Sequence, residues 1–188
     1  TPGLKVVAPS TPADARGLLI AAIRDPDPVV YVEPKFLYRR VKEVLPPGDP
    51  VVPLGRAAVR RAGTDDTVVT YGATTPMCLE AADRLSAQDR AAVEVIDLRS
   101  LVPWDGDLVL ASVKKTSRVL VVHEANLTAG FGAEVAATIA DEAFGWLDAP
   151  VKRLGALDTP IPADAALEAY VLPSADKVEA AIEELLRY

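Results

Sequence analysis

The feature that most constrains the fold is an alternation of short, valine-rich runs with segments of helical periodicity. Runs at 66–71, 93–97, 118–123 and 151–154 are rich in valine and leucine, and helix-type segments at 75–86, 105–115 and 132–144 separate them. Such strands have no wet face. Parallel neighbours need a crossover, and the crossover helices cover the sheet, so the pattern predicts a three-layer α/β fold: a mostly parallel sheet with helices on both faces. A last segment, 175–187, sets Val178, Ala181, Ile182 and Leu185 at helical spacing.

The first 33 residues repeat this logic on a smaller scale. "KVVAP" reads as a strand, Ser10, Thr11 and Pro12 as a helix entry, and 13–23 as a helix stopped by "RDPDP", where two prolines forbid continuation. "VVYVEP" then reads as a second strand, completing a β-α-β unit. From residue 35 to 53 the periodicity loosens and prolines accumulate. The expected division is 1–43, a linker at 44–54, and a larger domain at 55–188.

Charge and cysteine usage exclude several classes. Twenty basic against twenty-seven acidic residues leave a net charge of −7, and no Lys/Arg stripe is evident, so a nucleic-acid binder is not expected. One cysteine and one histidine cannot make a structural zinc site or an internal disulfide. No run approaches the roughly 20 apolar residues of a membrane span, and the opening residues lack a signal-peptide layout. A cytoplasmic protein without membrane contact is expected.

Several stretches have residue types suited to chemistry. "TAGFGAEVAA" follows a strand and opens a helix, with Gly130 and Gly132 in the first two places of a dinucleotide motif, but Val135 stands in the third. His123, the only histidine, ends a strand beside Glu124 and is the only imidazole base available. Cys78 falls on an apolar helix face with Ala81, Ala82 and Leu85, and no "GxSxG" elbow exists, so nucleophilic catalysis has no support. In "AAIRDPDP", helix-end carbonyls, Asp25 and Asp27 make an oxygen-rich turn, readable as a hard-cation cup or as a plain Asp-Pro turn. "DLRSLVPWD" places Asp97 and Arg99 at a strand's carboxyl end, where ligands gather in open α/β sheets, with Asp105 as the next helix's cap. An ion-paired corner plugged by Trp104 explains the same residues.

Four blocks in register carry a resemblance: "GLKVVAPSTPADARGLLIAAIRDPDPVVYVEPKFLYR", "VEVIDLRSLVPWD", "HEANLTAGFGAEVAATI" and "DTPIP". Together they resemble the β subunits of the decarboxylase components of 2-oxo acid dehydrogenases, in the transketolase-like family. "EPKFLYR" and "HEANLT" look more like the branched-chain (2-oxoisovalerate) members than the pyruvate members. The resemblance implies a transketolase-type carboxyl-terminal domain at 55–188, preceded by the β-α-β end of a pyrimidine-binding domain at 1–43. It further implies that the chain is a carboxyl-terminal part of the subunit. The family's activating glutamate and catalytic histidine would lie upstream of Thr1, so no catalytic residue is assigned in this chain, and His123 is not that histidine. Thiamine diphosphate and magnesium would serve the full enzyme, with the diphosphate-magnesium motif on the α subunit. Potassium is implied at the cation loop, with Asp25, Asp27 and the Ala22 carbonyl as ligands. Implied partners are the α subunit, a second β subunit and the peripheral subunit-binding domain of the acyltransferase, a basic module suited to this acidic chain. Three alternatives stay open: a pyruvate dehydrogenase β subunit, a non-catalytic assembly module, and a dinucleotide-binding domain resting on Gly130 and Gly132.

Overall fold

In a computed structural model of the chain, residues 2–45 and 47–188 are described. The first unit is the expected one: β1 (Lys5–Val7) and β2 (Val29–Tyr31) pair in parallel through α1 (Pro12–Arg24). Thr11 caps α1 by accepting from the Asp14 amide, and Pro12 opens it where a missing N–H costs nothing.

The remaining strands are β3 (Ala58–Arg61), β4 (Asp66–Thr70), β5 (Val93–Asp97), β6 (Ser100–Val102), β7 (Val119–Asn126) and β8 (Lys152–Ala156). The helices are α2 (Thr75–Ala87), α3 (Gly106–Thr116), α4 (Phe131–Glu142), α5 (Ala165–Val171) and α6 (Ala175–Leu185). Five strands form one sheet in the order β3-β5-β4-β7-β8, parallel except for the edge strand β3.

Successive side chains along a strand point to opposite faces, and the two cores follow from that. Val68, Val93, Val95, Leu120 and Val122 meet Cys78, Ala82 and Leu85 of α2 and Val178, Ile182 and Leu185 of α6. Val69, Ile96, Val119 and Val121 face the other way, onto Val109 and Val113 of α3 and Val135 and Ile139 of α4. The three layers are thus α2/α6, sheet, and α3/α4. Each fully buried Val or Leu contributes roughly 1.5–3 kcal/mol relative to exposure.

Two features depart from the expectation. The stretch "DLRSLVPWD" is more than a strand end, because Ser100–Val102 is a strand of a second sheet, order β2-β1-β6, in which β6 runs antiparallel to β1. The segment expected as a loose linker lies against α1: the Val52 amide donates to the Gly17 carbonyl at 3.2 Å, and a Cβ at Gly17 would lie 3.1 Å from the Val52 nitrogen. β3 and α5 were also not foreseen. Both are short, and β3 carries two arginines among its four residues, so neither shows clear periodicity.

Candidate functional site

β5 ends in Asp97, which is fully buried, and its charge is met by groups from three separate parts of the chain. Arg60 on β3 donates from Nε at 3.1 Å and from Nη2 at 2.9 Å, and the Ser10 hydroxyl, just before α1, donates to the same oxygen. The Arg99 amide donates to the other carboxylate oxygen at 3.2 Å. That bond exists because Arg99 adopts a left-handed backbone (φ 56°), turning the chain sharply between β5 and β6.

The Arg99 side chain makes its hydrogen bonds to groups other than Asp97. Its Nη1 donates to Asp14 at 2.9 Å and its Nη2 to the Ala57 carbonyl at 2.9 Å, while Arg60 also pairs with Asp14. Asp105 then caps α3, accepting from the Leu108 amide at 3.4 Å and from the Ala57 amide at 3.1 Å. The result is an alternating lattice of two carboxylates and two guanidiniums locking α1, β3 and the β5–β6 corner together. Sequence reading singled out Asp97, Arg99 and Asp105 at this corner, took Ser10 only as part of a helix entry, and did not single out Asp14 or Arg60, which come from distant segments. In this lattice the carboxylates are held by arginines, leaving no free acid-base pair. Its chemistry is that of a joint.

His123 lies on β7, two strands along the sheet from β5. The ring is fully buried; Nδ1 lies 3.0 Å from the Ala125 carbonyl, Nε2 has no hydrogen-bond partner among the described residues, and burial lowers the pKa, which favours the neutral imidazole. Three glycines make room for it. A Cβ at Gly130 would approach its Cε1 to 2.7 Å, one at Gly155 to 2.9 Å, and one at Gly132 would collide with Cδ2 and Nε2. Gly132 therefore accommodates the imidazole, and an added Cβ at Gly130 would also meet the Asn126 carbonyl, so both glycines have a packing role that needs no nucleotide. Gly155 was missed, although a glycine inside a strand signals a close approach. Cys78 is equally inert as a nucleophile: burial pushes its thiol up to about 12.

At the cation loop, the Lys5 ammonium lies 2.7 and 2.9 Å from the two Asp25 oxygens and 3.0 Å from Asp27 Oδ2. The bond to Asp25 raises the Lys5 pKa, and the bond to Lys5 lowers that of Asp25. Ala22 lies in the last turn of α1, where carbonyls have no intrahelical partner. Carboxylate oxygens here converge on a point suited to a monovalent cation, and the chain places its own ammonium there.

These elements define a class: a three-layer α/β domain whose strand-end corner is stitched by ion pairs and a small mixed sheet to a preceding β-α-β unit. The chain belongs to the transketolase family, since the model of the transketolase C-terminal domain matches residues 55–178 and that of the transketolase pyrimidine-binding domain matches residues 1–41. It is similar to the 2-oxoisovalerate dehydrogenase subunit beta 2, mitochondrial, of Arabidopsis thaliana, with 46% identity over 188 residues, 100% of this chain and 51% of that one. It is also similar to the pyruvate dehydrogenase subunit beta of Bacillus subtilis, with 47% identity over 180 residues, 96% of this chain and 55% of that one. A solved structure described as a split gene transketolase, inactive beta4 tetramer, superposes with a TM-score of 0.81 at 33% identity, covering 99% of this chain and 58% of that one. The chain thus spans about half the length of the curated relatives it matches.

Proposed function

We propose that this chain is the carboxyl-terminal half of the β subunit of a thiamine-diphosphate-dependent 2-oxo acid dehydrogenase of the branched-chain type. The observation that carries this is the Asp97–Arg60–Asp14–Arg99 lattice. It fixes a pyrimidine-domain end onto a carboxyl-terminal domain, and identity to such β subunits extends over the whole chain. In this reading the chain divides into 1–43 and 55–188 on either side of a linker at 44–54, which family matches over 1–41 and 55–178 support.

The side chains present do not by themselves suit thiamine diphosphate or magnesium. The buried carboxylates of Asp14, in the first turn of α1, and Asp97, at the end of β5, are taken by arginines, and Asp66 lies at the opposite, amino-terminal end of β4. The cofactor supplies the electron sink for decarboxylation, and this half supplies the frame. In this reading the α subunit brings the diphosphate-magnesium site and a second β subunit packs alongside. The acyltransferase's peripheral subunit-binding domain docks on this acidic half, and the assembly works in the cytoplasm. No helix among the described residues is long and apolar enough to cross a membrane.

Calorimetric titration of thiamine diphosphate with magnesium into the chain alone should show no binding; saturable heat would overturn the placement. In the complete assembly, kcat/KM should favour 3-methyl-2-oxobutanoate over pyruvate. The opposite preference would move the chain to the pyruvate class, which the Bacillus relative represents. For the loop of Ala22, Asp25 and Asp27, potassium should raise the Tm of the assembly more than sodium; equal effects would leave Lys5 as the loop's only cation.

A further inference from the structure

The expectation that no basic stripe is present fails at one place. Residues 35–42 contain Lys35, Arg39, Arg40 and Lys42 in a chain whose net charge is −7. All four are exposed, and no ion pair or side-chain hydrogen bond takes up Lys35, Arg39 or Lys42 among the described residues. Two neighbouring acids, Glu33 and Glu43, offset part of that charge and leave the segment 33–43 net positive. Glu43 accepts from the Ala13 amide at 2.9 Å, at the start of α1, and Glu33 hydrogen-bonds the Tyr38 phenol.

Two rings stand exposed among these cations: Phe36, with the Arg40 guanidinium 3.8 Å from its centroid, and Tyr38. Beside them a cavity of about 330 Å³ opens at the carboxyl ends of β1 and β2, walled by Pro12, Tyr31, Pro34, Leu37, Tyr38 and Val41. It is large enough to admit a leucine- or phenylalanine-sized side chain, and its walls are mostly apolar.

We propose that residues 33–42 and this cavity form a docking surface for an acidic, amphipathic protein segment, with an apolar side chain in the cavity and carboxylates on Lys35, Arg39 and Lys42. Charge complementarity selects the occupant. A nucleic acid has no aliphatic side chain to fill the mostly apolar cavity, and its continuous charge meets a chain of the same sign. An acidic segment is repelled by the same net charge, but it can place its apolar residues against the wall and its few carboxylates on the local cations. The surface rests on the charge pattern and the cavity, independently of the enzyme assignment.

The test is fluorescence anisotropy with a labelled peptide of two leucines flanked on each side by two glutamates, titrated with the 188-residue chain. Saturable binding is expected, weakening at least tenfold in the K35E/R39E/K42E variant and in Tyr38→Ala, and unchanged in Lys114→Glu. A peptide with lysines in place of the glutamates, titrated with the unaltered chain, should not bind. No saturable binding of the acidic peptide, equal binding of the lysine peptide, or tighter binding of a single-stranded oligonucleotide or anionic vesicle would each overturn the proposal.

Discussion

Replacing Asp97 with alanine tests whether the strand-end lattice is a joint. The change removes the acceptor of Ser10, both bonds from Arg60 and the bond that holds Arg99 in its left-handed turn. Arg60 is then left with Asp14 alone, two guanidiniums facing one buried carboxylate. Breaking one partner of a buried ion pair costs on the order of 3–5 kcal/mol, because the remaining charge stays desolvated. With a urea m-value of about 2 kcal/mol/M, the unfolding midpoint should fall by roughly 2 M. Ser10→Ala should cost about 1.5–3 kcal/mol in the parent, as a hydrogen bond to a charge does, and almost nothing once Asp97 is gone. Urea unfolding followed by circular dichroism measures all four corners of this cycle. A loss below about 1 kcal/mol for Asp97→Ala, or additive losses for the pair, would refute the lattice as the joint.

Asp66 is buried with no ion-pair partner among the described residues, and burial, opposed in part by a backbone hydrogen bond from Thr67, raises its pKa to about 8. The folded form therefore holds a proton that the unfolded chain releases near pH 4, so its stabilising effect is complete below that pH and is lost as the pH rises through about 8. At pH 7 the loss amounts to roughly 4 kcal/mol, and the stability of Asp66→Asn relative to the parent should rise by that order between pH 4 and 8; a pH-independent difference would count against it. Gly132→Ala should lower stability by about 3 kcal/mol or more, because the new methyl meets a ring already hemmed in by Gly130 and Gly155. Adding His123→Ala should recover part of that loss in a thermal melt, whereas a further loss would show that the glycine serves something other than the ring.

The layered fold was legible in the sequence because its strands are buried on both faces and its helices on one, and burial leaves a periodic record. "VEVID", the α6 face of Val178, Ile182 and Leu185, and the Thr11–Pro12 helix entry are local signals of this kind. The Asp105 cap was legible for the same reason, since a cap and its amide lie three residues apart. Three-dimensional packing alone decided the rest. Ser10 reaches Asp97 across 87 positions, and Arg99 reaches Asp14 across 85. β6 is a three-residue strand whose partner β1 lies at the other end of the first unit, so no local pattern announces it. The glycines around His123 could be read as a phosphate cradle until the ring was seen to fill the space they leave. Periodicity records which side of an element is buried; it does not record which distant polar group arrives there, and in this chain those arrivals make the joint.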